Sequence, residues 1–262
     1  MTALRDTLLL LAALQCSCTA IYGNPEPKGS DGDADGDGDA DIDAEGETDV
    51  ETDSSCTNLQ GVKQVSLGEF HSCALLESGM VKCWGNNENG MLGDGTTIGK
   101  SAPVDVLGLS SGVKEISVGA YHSCALLDTG EVRCWGNDSN GQLGDGGTVD
   151  KIQAVGVIGL SSGADCVATG TFHTCATLAA GGAKCWGLNG YGQLGTGDTT
   201  VRTQPADVSG LSAGVGMIDP GAYHTCAAME TTGVKCWGNN VAGQLGIGST
   251  ENKTTPVPVV CQ

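Results

Sequence analysis

One spacing constrains this chain more than any other feature. His71, His122, His173 and His224 stand 51 residues apart, and so do Trp84, Trp135, Trp186 and Trp237. The surrounding words repeat as well: FHSCALLESGMVKCWGNN from Phe70, YHSCALLDTGEVRCWGND from Tyr121, FHTCATLAAGGAKCWGLN from Phe172 and AYHTCAAMETTGVKCWGNN from Ala222. A fixed period near 50 predicts stacked copies of one supersecondary unit, each burying its apolar face on the next. Four units result, at approximately 62–112, 113–163, 164–214 and 215–262.

Within a unit every signal is β. Val113 to Val118 alternates as a strand, and Ser123 to Leu127 and Glu131 to Trp135 read as a hairpin around Asp128-Thr129-Gly130, a loop with Gly where a left-handed residue is needed. A long Gly/Asn/Asp loop from Gly136 to Gly146 follows, then a short piece such as Pro103 to Val106. No segment keeps a 3.6-residue apolar period, so helix is not expected.

The cysteines follow the repeat, ten residues apart: Cys73 with Cys83, Cys124 with Cys134, Cys175 with Cys185 and Cys226 with Cys236. In the second unit, counting outward from Leu127 opposite Glu131 places Cys124 opposite Cys134. Directly opposed residues of antiparallel strands lie within disulfide reach, so four intra-hairpin disulfides are expected. Zinc is the rival reading, disfavoured because its sites favour close Cys-x-x-Cys spacing; no metal or cofactor is expected. Cys56 and Cys261 flank the array and would form a fifth bridge if it closed on itself. Cys166 is then left over, read as a buried thiol or a site of intermolecular pairing.

Residues 1–20 read as a signal peptide. Leu8 to Leu14 is too short to span a bilayer but suits a signal core. Cys16 and Cys18 are lipidation candidates of the bacterial lipoprotein type, and cleavage after Ala20 is the competing reading. Residues 21–55 read as a disordered linker. Asn24 to Ser55 holds 13 acids against Lys28, too polar to bury a core and extended by self-repulsion. A calcium loop starting at Asp31 or Asp33 fails, because its twelfth position is Ile42 or Ala44 rather than Glu. Residues 56–262 carry 17 acids and 10 bases, a balance that disfavours nucleic acid.

The repeat resembles that of the regulator-of-chromosome-condensation family, Gly-x-x-His-[Ser/Thr]-x-Ala-Leu, then Gly-x-Val-x-x-Trp-Gly-x-Asn-x-x-Gly-Gln-Leu-Gly. Gly119, His122, Ser123, Ala125, Leu126, Gly130, Val132, Trp135, Gly136, Asn137, Gly141, Gln142, Leu143 and Gly144 fill the pattern. The resemblance implies a β-propeller of four-stranded blades, with the His as a structural hydrogen-bonding residue. The family's familiar propellers have seven blades. Four units leave a small closed ring, an open arc or half of a homodimer as the arrangements. The nuclear member's nucleotide-exchange role fits poorly with an export signal, disulfides and negative charge. A secreted β-lactamase inhibitor shares the repeat, which makes enzyme inhibition one form a binding role could take.

No nucleophile elbow, phosphate loop or recurrent carboxylate pair is present, so no catalytic residue is assigned and an enzyme is not expected. The Trp residues read as packing between blades rather than as a ligand platform. The expected role is a protein-binding propeller exported from the cell. Membrane association would come only through an N-terminal lipid: outer membrane or surface if lipidated, periplasmic or secreted otherwise. Specificity is expected at eight long-loop positions, Glu88, Met91, Asp138, Ser139, Leu188, Tyr191, Val241 and Ala242, because binding residues concentrate on loops. A structural envelope component without a ligand is the alternative, followed by an exchange factor by analogy and a hydrolase in the central channel.

Overall fold

The computed structural model describes residues 58–261. The expected signal peptide, the lipidation candidates Cys16 and Cys18, the linker at 21–55 and Cys56 lie outside the described residues. Sixteen strands form four antiparallel sheets, and there is no helix among the described residues. Blade 1 holds β1 (Val62–Leu67), β2 (His71–Leu76), β3 (Val81–Gly85) and β4 (Lys100–Asp105). Blade 2 holds β5 (Val113–Val118), β6 (His122–Leu127), β7 (Val132–Gly136) and β8 (Lys151–Gly156). Blade 3 holds β9 (Ala164–Thr169), β10 (His173–Leu178), β11 (Ala183–Gly187) and β12 (Arg202–Asp207). Blade 4 holds β13 (Val215–Pro220), β14 (His224–Met229), β15 (Gly233–Gly238) and β16 (Lys253–Pro258). Each sheet runs in sequence order, a meander.

The hairpin between the second and third strands sets the register. Gly130, at φ 78°, takes the left-handed position, and Leu127 N–H donates to the Glu131 carbonyl at 2.9 Å. Counting outward, Cys124 lies opposite Cys134. The other blades repeat this register, with Cys73 opposite Cys83, Cys175 opposite Cys185 and Cys226 opposite Cys236. All four pairs form the disulfide, with Cα atoms 4.1 Å apart.

Adjacent blades pack first strand to first strand, and the second strand of one against the first strand of the next. The core therefore lies between blades. Its three clusters each join the hairpin of one blade to the first strand and Trp of the following one, as Leu75, Val81 and Cys83 join Ile116, Val118 and Trp135. Among the described residues, the close packing between blades joins blade 1 to blade 2, blade 2 to blade 3 and blade 3 to blade 4. Within one chain the four blades form an open arc rather than the closed ring.

Two cysteine expectations change with that arc. Cys261 is a free, exposed thiol, so the ring-closing bridge expected of it is not formed. Cys166, the leftover, is buried and disulfide-bonded rather than a thiol. The hairpin cysteines also do more than the covalent stapling expected from their spacing. Cys175 and Cys185 are both buried in the third core cluster, which includes Trp237 of the following blade. In blade 4, where no blade follows, Cys236 is buried but lies outside the three clusters, and its partner Cys226 is only half-buried. The disulfide is thus part of the apolar junction wherever a junction exists.

Candidate functional site

In a meander blade, the turn between the first two strands and the loop between the last two emerge at the same edge. All four β1–β2-type turns and all four long loops therefore share one rim of the arc. Each turn ends on an aromatic residue immediately before the repeat His: Phe70, Tyr121, Phe172 and Tyr223. Their rings form a ladder along the rim, with centroids 6.0 Å apart from Phe70 to Tyr121, 5.6 Å from Tyr121 to Phe172 and 6.1 Å from Phe172 to Tyr223. The central pair is stacked, with planes 18° apart. Tyr191, from the long loop of blade 3, meets Tyr223 edge-on at 5.4 Å. Phe70, Tyr191 and Tyr223 are exposed, and Tyr121 and Phe172 half-buried. Burial and the neighbouring Glu69 carboxylate, which accepts a hydrogen bond from it, raise the Tyr121 phenol above its ordinary value. Such a strip offers apolar faces with phenolic edges, the composition enriched in the cores of protein interfaces.

The long loops are built from one polar residue each. Asn87, Asp138, Asn189 and Asn240 accept from the backbone N–H five residues on, at Leu92, Leu143, Leu194 and Leu245, at 2.9 to 3.0 Å. The three Asn residues also donate from Nδ2 across the loop, for example to the Thr96 and Ile98 carbonyls. Asp138 has no such donor when ionised. Its buried Oδ2 accepts no hydrogen bond, and burial together with the neighbouring Asp145 carboxylate pushes its carboxyl up to about 7. A second ring of contacts follows. Gln142 and Gln244 donate to Asn137 and Asn239 at 2.6 and 2.8 Å. In blade 3, Leu188 replaces that Asn, and Gln193 Nε2 is left unpartnered.

These roles sort the eight expected binding positions. Glu88, Ser139, Tyr191, Val241 and Ala242 are exposed at the loop tips on the rim of the ladder. Leu188 is half-buried. Met91 and Asp138 are withdrawn as contact residues, because they are 1% and 0% exposed. Met91 presents its backbone carbonyl to the Trp135 indole at 2.8 Å, and Asp138 holds the loop. Only Tyr191 of the eight touches the ladder through its ring. The ladder itself was not among the expected site residues. The signal was present: an aromatic residue precedes the His in all four repeats.

Three of the four His residues also find their role. His71 Nε2 lies 2.7 Å from Ser123 Oγ, His122 Nε2 2.8 Å from Thr174 Oγ1 and His173 Nε2 2.9 Å from Thr225 Oγ1, each across a blade junction. Thr174 and Thr225 hydroxyls already donate to the Gln142 and Gln193 carbonyls, so His122 and His173 must donate from Nε2. The same carbonyls accept the Trp186 and Trp237 indoles at 2.9 Å. A chain from imidazole to hydroxyl to carbonyl, closed by the indole, thus fastens each of these junctions. Burial holds the imidazoles neutral, lowering His71 to about 4 and His122 and His173 to about 3. A His beside a Ser resembles a nucleophile and its base. Here the pair is sealed inside the core, and no carboxylate orients the free Nδ1. Among the described residues no group of three His, Cys, Asp or Glu is placed to hold a metal ion.

Comparison with known proteins agrees with this architecture. The Regulator of chromosome condensation (RCC1) repeat is matched at residues 62–90, 113–142 and 165–193, and again at 78–126 and 184–228. The chain is 34% identical over 213 residues to the ultraviolet-B receptor UVR8 of Arabidopsis thaliana, covering 78% of this chain and 48% of the receptor. It is 32% identical over 210 residues to the probable E3 ubiquitin-protein ligase HERC4 of Homo sapiens, covering 76% of this chain and 19% of the ligase. The chain thus spans about half of the first relative and a fifth of the second. Among solved structures, human WBSCR16 superposes with a TM-score of 0.69 at 24% identity, covering 79% of this chain and 55% of that one. Yeast RCC1 (Prp20), solved bound to Kap60, superposes with a TM-score of 0.67 at 20% identity, covering 76% and 49%. The repeat matches, the meander blades and the His and Trp junctions together place this chain in the regulator of chromosome condensation repeat family.

Proposed function

We propose that this chain is an exported, non-enzymatic protein-binding propeller, and that the rim bearing the aromatic ladder is its docking surface. The observation that carries the reading is the ladder itself. Four aromatic rings in contact, flanked by Tyr191 and by the tips at Glu88, Ser139, Val241 and Ala242, form a broad surface on a rigid frame. Aromatic side chains give large contact area at low cost in rotamer entropy, which is why they anchor interfaces. Yeast RCC1 supports the reading by kinship, since its structure was solved with a bound protein. The disulfides suit an oxidising compartment, consistent with export and with anchoring through Cys16 or Cys18. Acidic charge on 56–262, 17 acids against 10 bases, favours a protein over a nucleic-acid partner.

The test is a crosslinking pull-down from native envelope extract. Three baits are compared: the full chain, the chain with Tyr121→Ala and Phe172→Ala, and the chain with Ala at Glu88, Ser139, Tyr191 and Val241. Circular dichroism and thermal unfolding establish that each is folded. One protein captured by the first and lost from both others is the expected result. Equal capture by all three, or none, overturns the docking surface and leaves a structural envelope component.

A further inference from the structure

The three internal junctions repeat one set of contacts. The trailing side of a blade supplies the His Nε2, a loop carbonyl at Met91, Gln142 or Gln193, and a loop N–H at Gly95, Gly146 or Gly197. The leading side of the next blade supplies a Ser or Thr hydroxyl and a Trp indole. It also offers the carbonyl of Ile152, Thr203 or Thr254, and the apolar side chains of its first strand.

Both half-sets recur at the ends of the arc. On the leading face of blade 1, Val65 and Leu67 are 58% and 59% exposed, where their equivalents Ile116 and Val118 are 2% and 6%. Ser72 and Trp84 are half-buried, where Ser123 and Trp135 are fully buried. On the trailing face of blade 4, Val234 and Val259 are exposed, where Val132 and Val157 are buried. His224 and Gln244 are half-buried, where His173 and Gln193 are fully buried. Carried one step further, the 51-residue repeat pairs these groups with each other. Trp84 matches the Gln244 carbonyl, Ser72 matches His224, and the Ser101 carbonyl matches the Gly248 N–H. Gly246 stands where Gly93, Gly144 and Gly195 receive the Trp ring of the next blade.

We propose that a second copy of this chain docks head to tail, its blade 1 seated on blade 4 of the first through the contacts of the internal junctions. A contact between two different faces is heterologous, and it closes into a ring or extends according to the angle between copies. The occupant is a second copy because the two faces complement each other residue by residue, and every copy presents both. The rim of the ladder lies at another edge of the blades, so this pairing and the docking of a protein partner there stand or fall separately.

Sedimentation of the 262-residue chain over a range of concentrations tests the pairing. Two variants accompany it: Val65→Asp with Leu67→Asp on the leading face, and Val234→Asp with Val259→Asp on the trailing face. All four positions are exposed in the single chain, and circular dichroism with thermal unfolding confirms the fold of each variant. The expected wild-type species has at least twice the chain mass, and each variant alone sediments at the chain mass. An equimolar mixture of the two variants recovers a species of twice the mass, because one intact leading face and one intact trailing face remain. A wild type that stays monomeric at every concentration overturns the proposal, as it would if further blades of a longer chain or another protein covered the faces. So does dissociation in only one variant, or a mixture that stays monomeric.

Discussion

The inner junctions and the two ends of the arc are spelled in nearly the same residues, yet they differ physically. Trp135, Trp186 and Trp237 are buried and each donates to a loop carbonyl, whereas Trp84 is half-buried at the leading edge. His71, His122 and His173 reach a hydroxyl on the following blade, and His224 has no following blade to reach. The repeat is therefore a half-site. Its Trp, His, Ser or Thr and first-strand apolar residues act only when the neighbouring repeat supplies the other half, the near-neighbour energetics of repeat proteins. What is complete within one blade, the hairpin and its disulfide bond, is formed at the ends as in the middle.

The largest effect follows from that contrast. Trp186→Ala removes an indole from a sealed junction and should cost about 3–5 kcal/mol. Trp84→Ala, measured by denaturant unfolding on dilute chain, should cost well under half of that. Equal losses would break the comparison. The disulfides sharpen it from the other side. Cys124→Ala with Cys134→Ala opens a small loop and should cost roughly 2–3 kcal/mol, and Cys73→Ala with Cys83→Ala, also buried, should cost about the same. A difference between these two blades would mean that their junctions do not use the disulfide alike.

Asp138 gives a pH-dependent test inside the loop scaffold. Its carboxyl is raised to about 7 in the folded chain, against an unfolded value near 3.8. An acid raised by folding favours the folded state fully below the unfolded value, and that contribution is lost as pH rises toward the folded value. Asp138→Asn restores the donor present at Asn87, Asn189 and Asn240. It should stabilise little near pH 4 and by about 2 kcal/mol near pH 7, read from chemical denaturation at the two pH values. Leu188→Asn should have the smallest effect. It returns an acceptor to Gln193 Nε2 and should add about 1 kcal/mol, independent of pH.

Much of the fold was legible because its signals are local. The 51-residue period sets the blade, a Gly at φ 78° fixes the hairpin, and counting from that turn pairs the cysteines. Arc closure was not legible, since it depends on rotation between blades, and with it went the bridge from Cys56 to Cys261. Nor was the packing role of Cys185, which depends on the blade that follows it. The site was legible only in part. Met91 and Asp138 vary between repeats as surface residues do, but Met91 stands where the other loops have Gln and Asp138 where they have Asn. Variation at a buried position looks the same in sequence as variation at a loop tip. The aromatic ladder was missed for the opposite reason. Regular placement of Phe70, Tyr121, Phe172 and Tyr223 reads as packing, and only the rim geometry leaves those rings partly open.

The most direct test of the half-site account is the titration of the four imidazoles by NMR, in the chain carrying Leu67→Asp so that its ends stay apart. Folding lowers all four, so their stabilisation is complete above the unfolded value near 6.5 and is lost as pH falls below it. As pH falls below that value, the account predicts His224 to protonate first, with His71, His122 and His173 following only at lower pH. Four imidazoles titrating together would contradict it, because the fourth His would then be in the same environment as the three sealed ones.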